Sequence, residues 1–136
     1  MKKYYGVLVL ITLLMSGCAT CNNSSEVRLF RTPTEYMVNS GIKNYEDGNY
    51  SSSISILQSL VDNKKASKNE KLLAYKYLAF SYCVTPSYSK ETRERMCRDS
   101  FQKAFDLDAG FALSQAEAGH PIWGPVYSLV KNKIVK

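Results

Sequence analysis

Residues 41–57 read GIKNYEDGNYSSSISIL, and this stretch decides the fold that the sequence predicts. Gly48 can supply the positive φ of a tight turn, and the Asp or Asn beside it can cap the following helix. Apolar residues on both sides of the turn recur every three or four positions, which is typical of helices rather than strands. The stretch therefore predicts a helix from Thr34 to about Glu46, a turn, and a second helix. Gly41 is expected to face Ser53 because both residues are small.

The same stretch has the spacing of a known repeat. Its positions resemble the tetratricopeptide repeat, a helix–turn–helix unit of about 34 residues, and they are Gly41, Gly48, Tyr50, Ser53, Ile54 and Leu57. A second copy is indicated by Tyr75, Leu78, Ala79, Tyr82, Cys97, Phe101 and Ala104. The alternative is an ordinary bundle of helical hairpins. The resemblance implies an all-α fold of antiparallel helix pairs, a tetratricopeptide-like α-solenoid.

The rest of the domain is also predicted to be helical. Further helices are expected over 70–83, 91–107 and 121–133, and Pro86 ends the first of them because proline cannot continue the hydrogen-bond ladder. Leu72 and Leu73 are placed on or near the buried face of the helix over 70–83. Two repeats alone seldom bury enough surface, so the segment 111–136 is expected to supply a C-terminal capping helix anchored by Trp123.

The N-terminal segment has the order of a bacterial secretory signal. Lys2 and Lys3 precede an apolar run over 7–15, and Ser16-Gly17-Cys18 follows. Residues 14–18 resemble a lipobox, which predicts a signal peptide over 1–17 and a lipid on Cys18. A transmembrane anchor is the alternative, but the run is shorter than the roughly 20 residues that a spanning helix needs.

The predicted lipid on Cys18 implies where the domains begin and in which membrane the protein is anchored. A lipidated tether is expected over 18–33 and a helical domain over 34–136. Ala19 follows the lipidated cysteine, so the Asp that signals inner-membrane retention is missing there. We expect a lipid-anchored protein of the outer membrane that faces the periplasm, with no cofactor other than the covalent lipid.

Charge and composition make nucleic acid an improbable partner class. The net charge of +6 includes Lys2 and Lys3, so the chain without its signal carries about +4. We find no run of five or more like charges, whereas a protein that follows a phosphate backbone needs a concentrated basic patch. The sequence therefore predicts no nucleic-acid binding.

The cysteines predict one disulfide. With Cys18 lipidated, Cys21, Cys83 and Cys97 remain, and the periplasm is oxidising. Cys83 falls late on one predicted helix and Cys97 early on the next, so antiparallel packing brings them together. We predict a Cys83–Cys97 bond, with two buried free thiols as the alternative. The C-x-x-C of Cys18 and Cys21 lacks the surrounding βαβ unit of a redox motif.

The sequence predicts neither a catalytic nor a metal site. His120 is the only histidine, and a zinc site needs three or four ligands. A helix-boundary turn, in which the imidazole hydrogen-bonds a helix end, is the better reading. The serines over 51–53 begin a helix and lack the strand-to-helix turn of a nucleophile elbow. We therefore expect a protein that is not an enzyme.

The first helices of the two repeats predict a partner-binding face. In such repeats these helices line a concave surface, which here carries Val38, Ile42, Tyr45, Lys76 and Phe80. Exposed Ile42 and Phe80 would form an apolar patch of the kind that marks a partner site. The alternative is that neighbouring loops, or Phe30 of the tether, cover them.

The C-terminal half of the chain is similar to a family of small lipoproteins. The residues that carry the resemblance are Cys97-Arg98, Phe101, Ala104-Phe105, Leu107-Asp108, Phe111, Leu113, Glu117, Gly119-His120-Pro121 and Trp123-Gly124-Pro125. They resemble lipoproteins associated with type VI secretion systems. The resemblance implies an accessory, non-enzymatic role, with a protein component of a cell-envelope secretion complex as partner and no small-molecule substrate. A pilotin or assembly lipoprotein for a secretin or outer-membrane barrel is one alternative, and a cell-wall hydrolase is the other.

Overall fold

The structure is a computed structural model, and it describes residues 31–134. The helices of this part are α1 (Pro33–Glu46), α2 (Tyr50–Val61), α3 (Lys68–Val84), α4 (Lys90–Leu107), α5 (Gln115–Ala118) and α6 (Gly124–Ile134). Residues 31–134 contain no strand, so the predicted all-α class is confirmed. The predicted signal peptide, Cys18, Cys21 and most of the tether lie outside the described residues.

Local capping chemistry explains where the helices begin. Thr32 accepts the N–H of Glu35 at the start of α1, and Pro33 occupies the first turn, where its missing N–H costs nothing. Capping boxes open α3 and α5, at Ser67 and Ser114 respectively. α3 therefore begins two residues before the predicted Glu70, and α5 is a helix that was not predicted; the Ser-x-x-Glu pattern marks the start of both.

The turn between α1 and α2 has the expected glycine but not the expected cap. Gly48 has φ of 80°, a backbone conformation that only glycine adopts without strain. Asn49 precedes α2, but its side chain makes no capping hydrogen bond. Thr85 and Pro86 follow the end of α3. The last helix begins at Gly124 rather than at Pro121, with Pro125 as its second residue.

The helices are stacked in the manner of a helical repeat. α1 contacts α2 and α3, α3 also contacts α2 and α4, and α6 packs against α4. Each new helix pair thus lies against the preceding pair through its first helix, and the chain closes with α6. The predicted antiparallel pairs and C-terminal capping helix are confirmed.

Small residues allow close approach at both contacts of α2. Gly41 of α1 lies against Leu57: a Cβ on Gly41 would come 2.6 Å from Leu57 Cγ. Ser53 contacts Ser81 of α3, with their hydroxyl oxygens 3.2 Å apart in the core. The predicted proximity of Gly41 and Ser53 stays a prediction.

Aromatic side chains attach the capping helix to the stack. Tyr127 of α6 packs against Phe101 and Phe105 of α4, with ring centroids 5.5 and 5.8 Å apart. Its hydroxyl accepts the backbone N–H of Leu113 at 3.3 Å. Since Tyr127 is only 3% exposed, this one side chain joins α4, α6 and the connection between them.

Cys83 and Cys97 are placed at disulfide-bonding distance, and their Cα atoms are 5.2 Å apart. The predicted pair is therefore confirmed. It joins the last turn of α3 to the middle of α4 and closes the α3–α4 connection. Within residues 31–134, no helix combines the length and apolar character needed to cross a membrane.

Candidate functional site

The predicted partner-binding residues divide into two groups. Ile42, Tyr45 and Lys76 are partly exposed, whereas Val38 and Phe80 are only 4% and 2% exposed. Phe80 and Val38 are therefore core residues, which corrects their assignment to a partner-binding surface. For Phe80, the alternative that neighbouring segments cover the side chain is the one observed.

Phe80 is buried because the segment before α6 covers it. The indole of Trp123 stacks on Phe80 with ring centroids 4.4 Å apart, and the imidazole of His120 stacks on the same indole at 3.3 Å. Two rings this close cannot share one side of the indole, so Trp123 lies between them. Trp123 Nε1 also donates to the carbonyl oxygen of Glu117 at 2.9 Å. Trp123 thus anchors the cap, as the sequence predicted.

His120 has a local structural role. Its Nδ1 accepts the N–H of Ile122 at 3.2 Å, and its ring is stacked on Trp123. The predicted helix-boundary turn is consistent with these contacts. Within residues 31–134, no group of three or more His, Cys, Asp or Glu side chains is placed to hold a metal ion.

A charged pair links α3 to α5 beside this cap. Lys76 Nζ donates to Glu117 Oε1 at 2.8 Å, and both side chains are largely buried. Burial by itself would raise the pKa of Glu117, but the Lys76 ammonium and the Ser114 N–H hold that pKa below its ordinary value. Glu117 is therefore a carboxylate at neutral pH, and the pair fixes α5 against α3.

Aromatic side chains lie between the Lys76–Glu117 pair and α1. Tyr45 of α1 contacts Tyr77 and Phe80 of α3, at centroid distances of 5.4 and 6.0 Å. Lys76 Nζ lies 5.0 Å from the Tyr77 ring centroid, within the range of a cation–π interaction. Burial, then Tyr50 and Tyr77, then Glu117 raise the pKa of Tyr45 to about 12. Tyr45 therefore keeps its phenolic proton at physiological pH.

The face contains an exposed apolar residue that the sequence analysis assigned to the buried side of α3. Leu73 is 40% exposed. It lies three residues before Lys76 and seven before Phe80, a spacing that puts all three on one side of a helix. Because Phe80 on that side is buried, helical spacing alone does not show that Leu73 is exposed.

A shallow apolar cleft adjoins Leu73. Its volume is about 280 Å³, and it is lined by Asn69, Leu72, Leu73, Lys76, Phe111 and Ala112. We call the surface made of Ile42, Tyr45, Leu73, Lys76 and this cleft the α1–α3 face. It combines exposed apolar area with a fixed charged pair and a phenolic hydroxyl.

Comparisons with models of protein families, with curated proteins and with solved structures find no match for this chain.

Proposed function

We propose that this protein is a non-enzymatic protein-binding module, held by lipid on Cys18 at the periplasmic side of the outer membrane. The observation that supports it best is the α1–α3 face. Leu73 and the neighbouring cleft offer apolar contact area, while Lys76 and Glu117 are already fixed in place. A face built on packed helices needs little ordering on binding, which favours affinity.

The mechanism is recruitment to a membrane surface. Two attached lipid chains or more anchor a protein stably. Anchoring confines the α1–α3 face to the volume next to the membrane, which raises its effective concentration for a partner located there. The lipid supplies location and the helical domain supplies recognition.

We further propose that the domain is of the tetratricopeptide type and that the partner is a component of a type VI secretion system. The stacking of the helix pairs supports the first proposal. The resemblance, which covers roughly Leu72 to Tyr127, supports the second. Several of its residues build the cap, since Glu117, His120 and Trp123 hold one another against α3.

In-cell photo-crosslinking tests this function. A photo-reactive phenylalanine analogue replaces Leu73, and the matched control carries it at Ser59, which is exposed on α2. We expect a defined envelope protein to be captured from position 73 and not from position 59. Equal capture at both positions, or none, would contradict a specific binding face.

The identity of the captured protein separates the alternatives. A sheath or membrane-complex component of a secretion system supports the proposal. A secretin or barrel subunit instead identifies a pilotin or assembly lipoprotein. For the enzymatic alternative, the test is His120→Gln: loss of cellular function with unchanged fold and unchanged capture would support a hydrolase.

A further inference from the structure

One side of α6 presents apolar side chains to solvent. Ile122, just before the helix, is 50% exposed and Leu129 is 49% exposed. They are seven residues apart, close to two helical turns, and Pro125 lies between them on the same side. Val126 is half-buried beside them. We call these four residues the α6 stripe.

The α6 stripe lies on the last helix of the described stack. Tyr127 and Val130, on the adjoining side of α6, are buried within the domain at 3% and 1% exposure. The end helix of a repeat stack normally has a polar outer side, because nothing stacks upon it. An apolar outer side is what a helix shows when another helix packs on it.

A cleft lies beside the α6 stripe. It has a volume of about 260 Å³ and is bounded by Ile122, Pro125 and Val126 on one side and by Cys83, Lys90, Arg93 and Glu94 on the other. The Cys83–Cys97 pair fixes the α3 and α4 side of the cleft. Such a cleft can receive a large side chain from a bound segment.

The charges around the cleft favour an acidic occupant. Lys90 and Arg93 border it, Lys133 follows Leu129 by one turn, and α6 contains no acidic residue. Glu94 is the acidic group of the cleft, 3.9 Å from Lys90. Arg93 donates from Nη1 to the Thr85 carbonyl oxygen, which holds its guanidinium beside the cleft.

We propose that the α6 stripe and its cleft bind an amphipathic helix of a partner protein, which takes the place of the next helix in the stack. Its apolar side covers Ile122 and Leu129, and its Asp or Glu residues face Lys90 and Arg93. A second copy of this chain fits poorly, because the side chains bordering its own stripe are basic as well, so like charges would face each other. A bilayer surface would contact the exposed apolar side chains but would not insert a side chain into the cleft. This inference rests on the proposed protein-binding function but uses a different surface.

Photo-crosslinking from Leu129 in cells expressing the full-length protein tests the proposal, with positions 73 and 59 examined in parallel. We expect position 129 to capture a protein other than this chain, through a peptide that has apolar residues at helical spacing and flanking Asp or Glu. With the crosslinker at Ile122 instead, Leu129→Lys should lower the yield about tenfold, as expected when a central apolar contact is lost. Lys90→Glu should lower it as well, whereas Lys64→Glu, in the α2–α3 connection, should not.

Each other outcome overturns the inference. Crosslinks within this chain or to a second copy would show that the chain covers its own stripe, and crosslinks to lipid alone would show a membrane contact. A peptide without acidic residues would exclude the assigned chemistry. If position 73 captures a partner and position 129 captures none, the inference fails while the proposed function stands. Failure at positions 73 and 129 together contradicts both.

Discussion

At the scale of single residues, hydroxyls and small side chains decide how closely the helices approach. Ser53 and Ser81 are both fully buried, and each is the hydrogen-bond partner of the other across α2 and α3. Gly41 leaves the space that Leu57 fills. The Ser53–Ser81 pair matters for stability mainly because each hydroxyl gives the other a partner. A buried hydroxyl without a partner costs more free energy than a hydrogen bond contributes.

The paired serines give a prediction about additivity. Ser53→Ala should lower the free energy of unfolding by about 1–3 kcal/mol, because it leaves the Ser81 hydroxyl in the core without its partner. The double variant Ser53→Ala, Ser81→Ala should cost less than the sum of the two single variants. Urea unfolding of the four proteins measures this coupling. Simple additivity would contradict the pairing.

Glu117 gives a prediction about pH. Its pKa is below the ordinary value of 4.5 in the folded protein, so the folded state favours the carboxylate. The stabilisation is therefore complete above the ordinary pKa and is lost as the pH falls through the lowered one. Glu117→Gln should destabilise the protein by about 1 kcal/mol at neutral pH, and the difference from wild type should shrink with acidification.

Thermal unfolding between pH 3 and pH 7 measures this difference. Lys76→Gln is the matched variant, because it removes the cation that Glu117 contacts. It should flatten the same part of the pH profile. A Glu117→Gln profile that stays parallel to wild type through the acidic range would refute the role of the carboxylate.

At the scale of helices, the disulfide and the cap hold the second half of the stack. Cys83 and Cys97 are 14 residues apart in sequence, and closing a loop of that length contributes about 3 kcal/mol in the chain-entropy model. Cys83→Ser with Cys97→Ser should lower the free energy of unfolding by about this amount, and reduction of the wild type should do the same. Cys21→Ser is the control. Equal stability of reduced and oxidised wild type would exclude the bond.

The cap gives a second prediction at this scale. Trp123→Ala removes the ring that lies between Phe80 and His120, so the free energy of unfolding should fall by about 3–5 kcal/mol. Leu129→Ala, on the exposed side of α6, should change it by less than about 0.5 kcal/mol. Chemical denaturation of both variants measures these values. If the two substitutions had equal effects, Trp123 would not be the anchor of the cap.

The helices and their pairing could be predicted from the sequence because their signals are local. Gly48 and Pro86 mark boundaries, and the three- and four-residue spacing of apolar side chains marks the buried faces. The Ser-x-x-Glu patterns at Ser67 and Ser114 were equally local and would have improved the bounds of α3 and identified α5.

The surface could be predicted only in part. Lys76 and Glu117 are 41 positions apart, and their contact depends on the path of the chain from α4 to α6. Nothing in the helical periodicity of α3 shows that Trp123 returns to cover Phe80. The burial of Phe80 therefore required the three-dimensional structure, as did the exposure of Ile122 and Leu129 at the end of the stack.

At the scale of the whole molecule, we propose that a lipid anchor is joined to a protein-binding domain. The N-terminal motif predicts the anchor at Cys18, and the helical stack provides the α1–α3 face. The central claim is that recognition by this face is effective because the lipid holds it beside its partner.

The most direct test measures crosslinking yield from Leu73 with and without the anchor. The unanchored form is exported behind a cleavable, non-lipoprotein signal and begins at Ala19, at matched periplasmic abundance. We predict capture of the same envelope protein by both forms, with a yield at least about tenfold higher for the anchored form. Equal yields would contradict the role of the lipid, and the absence of any captured protein from both forms would contradict the binding function itself.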